Sequence, residues 1–146
     1  MLGLLQRVSE ASVKVDNNIV GEIGQGILLL LGIQKNDTRE IADKLIDKIL
    51  AYRIFADDNN KMNCNVQQIG GGILVVSQFT LAADTNKGLR PSFSSAAPPA
   101  QAQQLYDYFV QQLRLRHQPV ATGIFAADMK VALVNDGPVT FMLSAE

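Results

Sequence analysis

The segment VVSQFTLAAD, Val75 to Asp84, starts as a buried β-strand and then changes character. With Ile73 and Leu74 ahead of it, Val75-Val76 completes an apolar run of the kind that packs on both faces of a sheet. Ser77, Gln78 and, past Phe79, Thr80 follow at once. Polar groups beside a core need hydrogen-bond partners, or they cost free energy. Either the backbone at the strand end satisfies these side chains, or they line a site that a ligand completes.

Outward from this segment the chain alternates strand and helix signals. Gly70-Gly71-Gly72 precedes a strand, whereas phosphate-cradling glycines precede a helix, so it reads as a turn. Leu2 to Val15 carries two strand-like runs around Ser9-Glu10-Ala11, and Ile19 to Glu22 is short and β-prone. Gly24-Gln25-Gly26 punctuates before Ile27 to Leu31, a strand expected to be buried on both faces. Asp37 or Thr38 is placed to cap a helix in which Ile41, Leu45, Ile46, Ile49, Leu50 and Tyr52 recur at helical spacing, to about Arg53. Asp57 to Asn60 reads as a turn.

After Thr80 comes a polar loop, Ala82 to Ser95, long enough to suggest function or disorder. Pro98-Pro99 opens a second helix with Leu105, Tyr108, Phe109 and Leu113 at core spacing, ending near His117. Two closing strands are expected around Val131 to Val134 and Val139 to Leu143, with Asn135-Asp136-Gly137-Pro138 as the hairpin turn between them. Strands at both ends and two helices between them predict an α/β fold in mixed layers, sheet on sheet with helices on one face.

The bulk numbers narrow the function. The 146 residues suit one domain, 1–146, and no composition shift or linker divides them. The 47% hydrophobic content supports a sizeable core, and 18% charged residues is low for a surface fully exposed to water, which hints at a covered face. A net charge of −1 argues against coating nucleic acid by bulk electrostatics. The single cysteine, Cys64, excludes an internal disulfide and reads as a packing residue, and no Cys/His cluster has metal-ligand spacing. A reducing cytosol is the expected setting. Arg7 and Glu10 come too early for a signal peptide, and the longest apolar run, Ile27 to Ile33, is far short of a membrane span, so a soluble protein is expected. His117, the only histidine, reads as an exposed helix terminus, and without a second one conventional Ser/His or Cys/His devices have little material. Asp57 and Asp58 read as solvated turn carboxylates.

Two segments resist so plain a reading: SQFTL at 77–81 and NDGPVT at 135–140. Together they resemble the signature pair of the D-aminoacyl-tRNA deacylases. The similarity covers nearly the whole chain: QRV at Gln6 to Val8, GEIG at Gly21 to Gly24, YRIF at Tyr52 to Phe55, KMN at Lys61 to Asn63, LAADT, RPSFS, and AADM at Ala126 to Met129. Cys64 departs from the pattern, where an apolar residue is expected.

The resemblance implies a three-layer β/β/α domain and a homodimeric cytoplasmic hydrolase without metal or organic cofactor. It would cleave the ester between a D-amino acid and the terminal ribose of tRNA, and that of mischarged glycyl-tRNA. It places Ser77, Gln78, Phe79 and Thr80 in the catalytic site. Gly137 and Pro138, joined by a cis bond and reached across the dimer, would bind the α-amine, with Arg7 pinning them and Met129 in the substrate site. On the long loop, Lys87 and Arg90 are the expected phosphate contacts for the tRNA acceptor end. Two alternatives stand beside this one: a non-catalytic nucleic-acid or protein-binding module of the same fold, and a general esterase that needs no tRNA.

Overall fold

The computed structural model describes residues 1–146. In chain order the elements are β1 (Leu2–Val15), β2 (Asn18–Ile23), β3 (Gly26–Gly32), α1 (Arg39–Ala51), β4 (Phe55–Ala56), β5 (Met62–Cys64), β6 (Gly72–Ser77), α2 (Pro99–Arg116), β7 (Val120–Thr122) and β8 (Lys130–Ser144), with a 3₁₀ turn at Phe79–Ala82. All strands except the β4–β5 pair belong to one six-stranded mixed sheet. β3 and β6 run parallel in a register from Gly26↔Gly72 to Leu31↔Ser77, and β7 continues the parallel set beyond β6. The first half of β1 is antiparallel to β3 and its second half to β2, while β8 follows β1 along nearly its whole length.

The two central strands explain the continuous apolar runs. Ile27, Leu29, Leu31, Ile73 and Val75 face a core completed by Leu45, Ile46 and Ile49 of α1 and Phe109 and Leu113 of α2. Leu28, Leu74 and Val76 face the other way, into a second core with Val8, Ala11, Val13 and Ile23. Residues i and i+1 of a strand point to opposite faces, so a strand covered on both faces needs apolar residues at every position. The second core exists because the sheet curls until β2 meets β7, giving two β layers and one helical layer. The closure depends on a missing side chain: a Cβ built on Gly21 would lie 2.3 Å from the Thr122 carbonyl oxygen.

The helices start and stop largely where sequence chemistry places them. Thr38 is the N-cap of α1, its Oγ1 accepting from the Ile41 amide at 3.2 Å. Asp37, the other candidate cap, is buried and accepts instead from the Gln34 amide and the Met1 ammonium, each at 2.7 Å. Proline at the start of α2 sits where an amide would have no partner anyway.

Three expectations change. β1 is one continuous strand, and the apparent break at Ser9-Glu10 is a local slip in its pairing with β8, where Val8↔Asn135 is followed by Glu10↔Val134. The expected hairpin at Asn135–Pro138 does not form, because β8 is also one strand. Gln6 pairs with Thr140 and Val8 with Asn135, which sets four residues, Asp136 to Val139, opposite the single Arg7. That surplus is a large bulge in an edge strand. His117 is buried, 7% exposed, with Nε2 2.7 Å from the Gly71 carbonyl oxygen, because the chain turns inward after α2 toward β7. β7 and the cis Gln118–Pro119 bond carried no readable sequence signal.

Gly21→Ala should therefore lower stability by about 1–3 kcal/mol, since backbone cannot yield as a side chain does, and lower Tm by roughly 5 °C. Gly24→Ala, with nothing within 4 Å of the added carbon, should be near neutral in the same thermal melts.

Candidate active site

β6 ends at Ser77, but the ladder runs one step further, with the Gln78 amide donating to the Leu31 carbonyl at 2.8 Å. The chain then tightens into the 3₁₀ turn, closed by Leu81 N–H to Gln78 C=O at 3.2 Å and Ala83 N–H to Thr80 C=O at 3.1 Å. A turn that closes onto Gln78 leaves the Phe79 and Thr80 amides without an acceptor inside it. Gly32 on β3 makes room, because a Cβ there would come within 2.9 Å of Leu81 Cβ and 3.3 Å of the Gln78 carbonyl oxygen. The polar residues of this turn are only partly self-satisfied. Gln78 Nε2 donates to Thr80 Oγ1, Thr80 is exposed, and no basic side chain accepts the Thr80 proton.

Ser77, Gln78 and Phe79 open onto a cavity of about 640 Å³. Ile33 and Ala102, both buried, Phe93 and Ala96 to Pro99, and Phe125, Ala126, Ala127 and Met129 complete its walls. A volume in the range of small-molecule sites, an apolar lining and a few polar groups at one edge suit a flat, partly polar ligand. Phe79 is 57% exposed, and its ring stands 5.1 Å from that of Phe93. Under the Phe125 wall, Tyr106 packs at 5.7 Å between ring centroids, and burial pushes its phenol up to about 12, so it serves as a neutral donor to the Val75 carbonyl oxygen.

The long loop beside the cavity is ordered by its own backbone. Asp84 and Ser92 exchange N–H···O=C bonds of 2.8 and 2.9 Å, and Asp84 Oδ1 accepts from the Asn86 amide at 2.9 Å. Lys87, Gly88, Leu89 and Arg90 form the exposed tip, with Gly88 at φ +69°.

The bulge on β8 is a separate structure. Arg7, largely buried, donates from Nε to the Asp136 carbonyl at 2.9 Å and from Nη1 to the Ile54 carbonyl at 2.8 Å, with the Asp136 carboxylate 3.6 Å away. Beyond that anchor, Gly137 and Pro138 stand exposed, joined by a cis peptide bond. Gly137 has φ +133°, and a Cβ on it would meet Val139 Cγ2 at 2.8 Å and Arg7 Nη2 at 3.2 Å.

The candidate residues thus fall into three groups. Ser77, Gln78, Phe79 and Met129 share the cavity, and Thr80 lies on the same turn but outside the cavity lining. Arg7, Gly137 and Pro138 share the bulge, and none of them lines the cavity of its own chain. Lys87 and Arg90 sit on the loop tip. Sequence reasoning missed Ile33, Phe93 and Phe125 as cavity walls, although Phe93 lies within RPSFS and Phe125 directly precedes AADM.

A family described as D-Tyr-tRNA(Tyr) deacylase matches residues 4–144. The chain belongs to this family. A relative in Cellvibrio japonicus (strain Ueda107), named D-aminoacyl-tRNA deacylase, is 79% identical over 146 residues, with both chains covered in full. Among solved structures, one titled c-Myc DNA Unwinding Element Binding Protein superposes with a TM-score of 0.96 at 40% identity, covering 100% of this chain and 99% of that one. A second, titled as a probable eukaryotic D-amino acid tRNA deacylase, superposes with a TM-score of 0.85 at 19% identity over 97% of each chain, which extends the likeness in fold.

Because one guanidinium joins the bulge to the β4 side, Arg7→Met should cost about 2–3 kcal/mol in urea unfolding, through two charge-assisted bonds and their unpaired carbonyls. Arg7→Lys should recover little of it, since an ammonium lacks the fork that reaches both oxygens. Full recovery by lysine would show that charge alone matters there.

Proposed function

We propose that the protein hydrolyses the ester of D-aminoacyl-tRNA in the cytoplasm, releasing the D-amino acid and tRNA, and that it acts as a homodimer. One observation carries this reading: the full-length relative with 79% identity is named for that activity. The two built features of the chain, a polar turn beside an apolar cavity and an exposed glycine-proline bulge, supply the parts such a reaction needs.

An aminoacyl ester is already activated, so the work lies in positioning and in stabilising the developing oxyanion. The Phe79 and Thr80 amides are free to receive that oxygen. The terminal adenosine occupies the cavity, with its base between the Phe93 and Phe125 walls near Met129, and with Ser77 and Gln78 at its polar edge. Thr80 accepts a hydrogen bond from Gln78 and has no base, so it positions a water, and the ribose hydroxyl beside the ester assists the attack. Lys87 and Arg90 take phosphates of the acceptor end. A covalent Thr80 intermediate is the second choice of mechanism.

Chirality is read by main chain. The bulge of one protomer enters the other's site, where the carbonyl oxygens of Gly137 and Pro138 bind the substrate's α-amine. With amine and ester both anchored, an L side chain is driven into that backbone, and a D side chain points away. Specificity comes from exclusion, and glycine, with no side chain to exclude, is hydrolysed from mischarged tRNA too. Two features support the dimer. The exposed Phe79 ring needs cover, and β8 is a long edge strand carrying Val134 and Met142, 48% and 51% exposed.

The 40%-identical structure named for binding a DNA element favours a second reading, a nucleic-acid-binding module without catalysis. Release of free D-tyrosine from D-tyrosyl-tRNA, with matched L-tyrosyl-tRNA left intact, separates the two. Thr80→Ala should slow release by roughly tenfold, within the range for one positioning group, whereas removing the ribose 2′-hydroxyl should be the more damaging change. An acyl group trapped on Thr80 by mass spectrometry would instead establish the covalent route.

Gly137→Val should weaken both capture of D-substrate and discrimination against L-substrate, by a hundredfold or so (about 2.7 kcal/mol). The added carbons press on Val139 and Arg7 at a φ that side chains rarely adopt. Sedimentation at micromolar concentration should show a dimer. A monomer retaining full D-selective activity would be incompatible with a filter supplied by the second subunit.

A further inference from the structure

Two segments that the proposed chemistry leaves idle, YRIF and KMN, lie side by side in the fold. β4 starts at the last residue of the first, β5 carries Met62 and Asn63 of the second, and the turn between them is organised by Asp57. Its carboxylate accepts from the Asn59 amide at 2.8 Å, the Lys61 amide at 3.0 Å and Asn63 Nδ2 at 2.9 Å, bonds that hold it below the usual carboxylate range. Against this hairpin, the C-terminal end of α1 and Phe141 of β8 enclose an open groove of about 570 Å³ lined by Lys48, Ala51, Tyr52, Arg53, Met62 and Phe141.

The lining of this groove is basic and aromatic, with no carboxylate. Lys48 and Arg53 are exposed, and neither is paired with an acid. Two nearby acids are engaged elsewhere, Asp47 with Arg116 and Asp57 with its own hairpin, and Asp58 on the turn is exposed to solvent. Tyr52 is half-buried, held edge-on to Phe141 at 5.6 Å. In a chain of net charge −1, the groove thus holds two cations with no acid partner, Lys48 bonded only to the Ser144 carbonyl at 3.4 Å, beside an ordered aromatic ring, which is the chemistry a polyanion needs. Phosphates meet the cations and a base can stack on the ring, the pairing that single-stranded nucleic acid recognition uses. The groove also shares an anchor with the bulge, because Arg7 binds the carbonyl of Ile54, next to Arg53, as well as that of Asp136.

We propose that this groove is a second contact for the substrate RNA, taking the phosphates and a base of the acceptor strand upstream of the esterified nucleotide. It rests on the tRNA reading above and deepens it, since the 640 Å³ cavity accommodates only the terminal nucleoside. The groove then predicts a preference for tRNA over a short ester, and Lys87 and Arg90 are not the only phosphate contacts.

The test pairs Lys48→Gln/Arg53→Gln with a control of equal charge change away from the groove, Lys14→Gln/Arg114→Gln, exposed residues on β1 and α2 that do not line it. On D-tyrosyl-tRNA the groove variant should raise KM about tenfold with kcat unchanged, and the slope of log KM against log salt should shrink by about 1.4, for two single-strand phosphate contacts. On D-tyrosyl-adenosine, which lacks upstream nucleotides, it should behave as wild type. Binding of uncharged tRNA, followed by fluorescence anisotropy, should weaken to the same degree. An unchanged tRNA affinity, an equal loss in the control pair, or an equal loss on D-tyrosyl-adenosine would each overturn the groove. Wild-type protein that binds tRNA through the groove yet releases no D-tyrosine would instead sink the catalytic reading and leave this contact standing.

Discussion

The parallel pairing of β3 with β6, apolar on both faces, sets the terms for the remaining elements. A sheet whose central strands are apolar at every position cannot leave either face to water. One face takes α1 and α2, and the other can be covered only by the sheet itself, curling until β2 reaches β7 at Gly21. That curl places the end of β6 at a rim, where Gln78 makes its last ladder bond to Leu31 and the chain must turn. The polar turn and the neighbouring cavity are thus consequences of how the core closes. Clefts outside the carboxyl ends of parallel strands are a common place for ligands for the same reason.

A second constraint acts at the edge of the same sheet. Pairing β8 with β1 on both sides of Arg7 requires the surplus of Asp136 to Val139 to leave the ladder. An unsupported surplus would be a mobile flap, but the Arg7 guanidinium gathers the Asp136 and Ile54 carbonyls and fixes the base of the projection. Backbone oxygens become usable recognition groups only when they are held this way. Glycine at 137 serves the same end, since φ +133° and the nearness of Val139 and Arg7 leave no room for a side chain.

These two constraints differ in how far the sequence discloses them. The apolar runs at Ile27–Leu31 and Ile73–Val76 state their burial directly, and the 3.6-residue spacing of Leu45, Ile46, Ile49 and of Leu105, Phe109, Leu113 states the helices. Ser77, Gln78 and Thr80 were legible because polar groups directly after a buried run demand an explanation. NDGP was legible as a departure from regular strand but not as a bulge, because the same residues suit a hairpin turn, and the register of β1 against β8 decides between them. His117 looked exposed because the tail LRLRHQPV is polar, while its partner, the Gly71 carbonyl, is distant in sequence. The cavity walls at Phe93 and Phe125 come from segments with no periodicity, brought together only by tertiary structure.

A filter made of main chain has a cost that a side-chain filter does not. Side chains can be exchanged one at a time, so a pocket built from them can drift in specificity by single substitutions. Carbonyl oxygens held by the bulge have no such freedom, because moving them means changing the register of β8 on β1, the Arg7 anchor or Gly137. Each of these is also part of the fold, so on the proposed reading loss of discrimination and loss of structure are tied together. On the proposed reading, the substitutions open to change lie on the substrate's far side: the loop tip at Lys87 and Arg90 and the groove at Lys48 and Arg53, all exposed, with a single bond from Lys48 to the Ser144 carbonyl among them. Affinity for the RNA can then vary while the chirality of what is cleaved stays fixed.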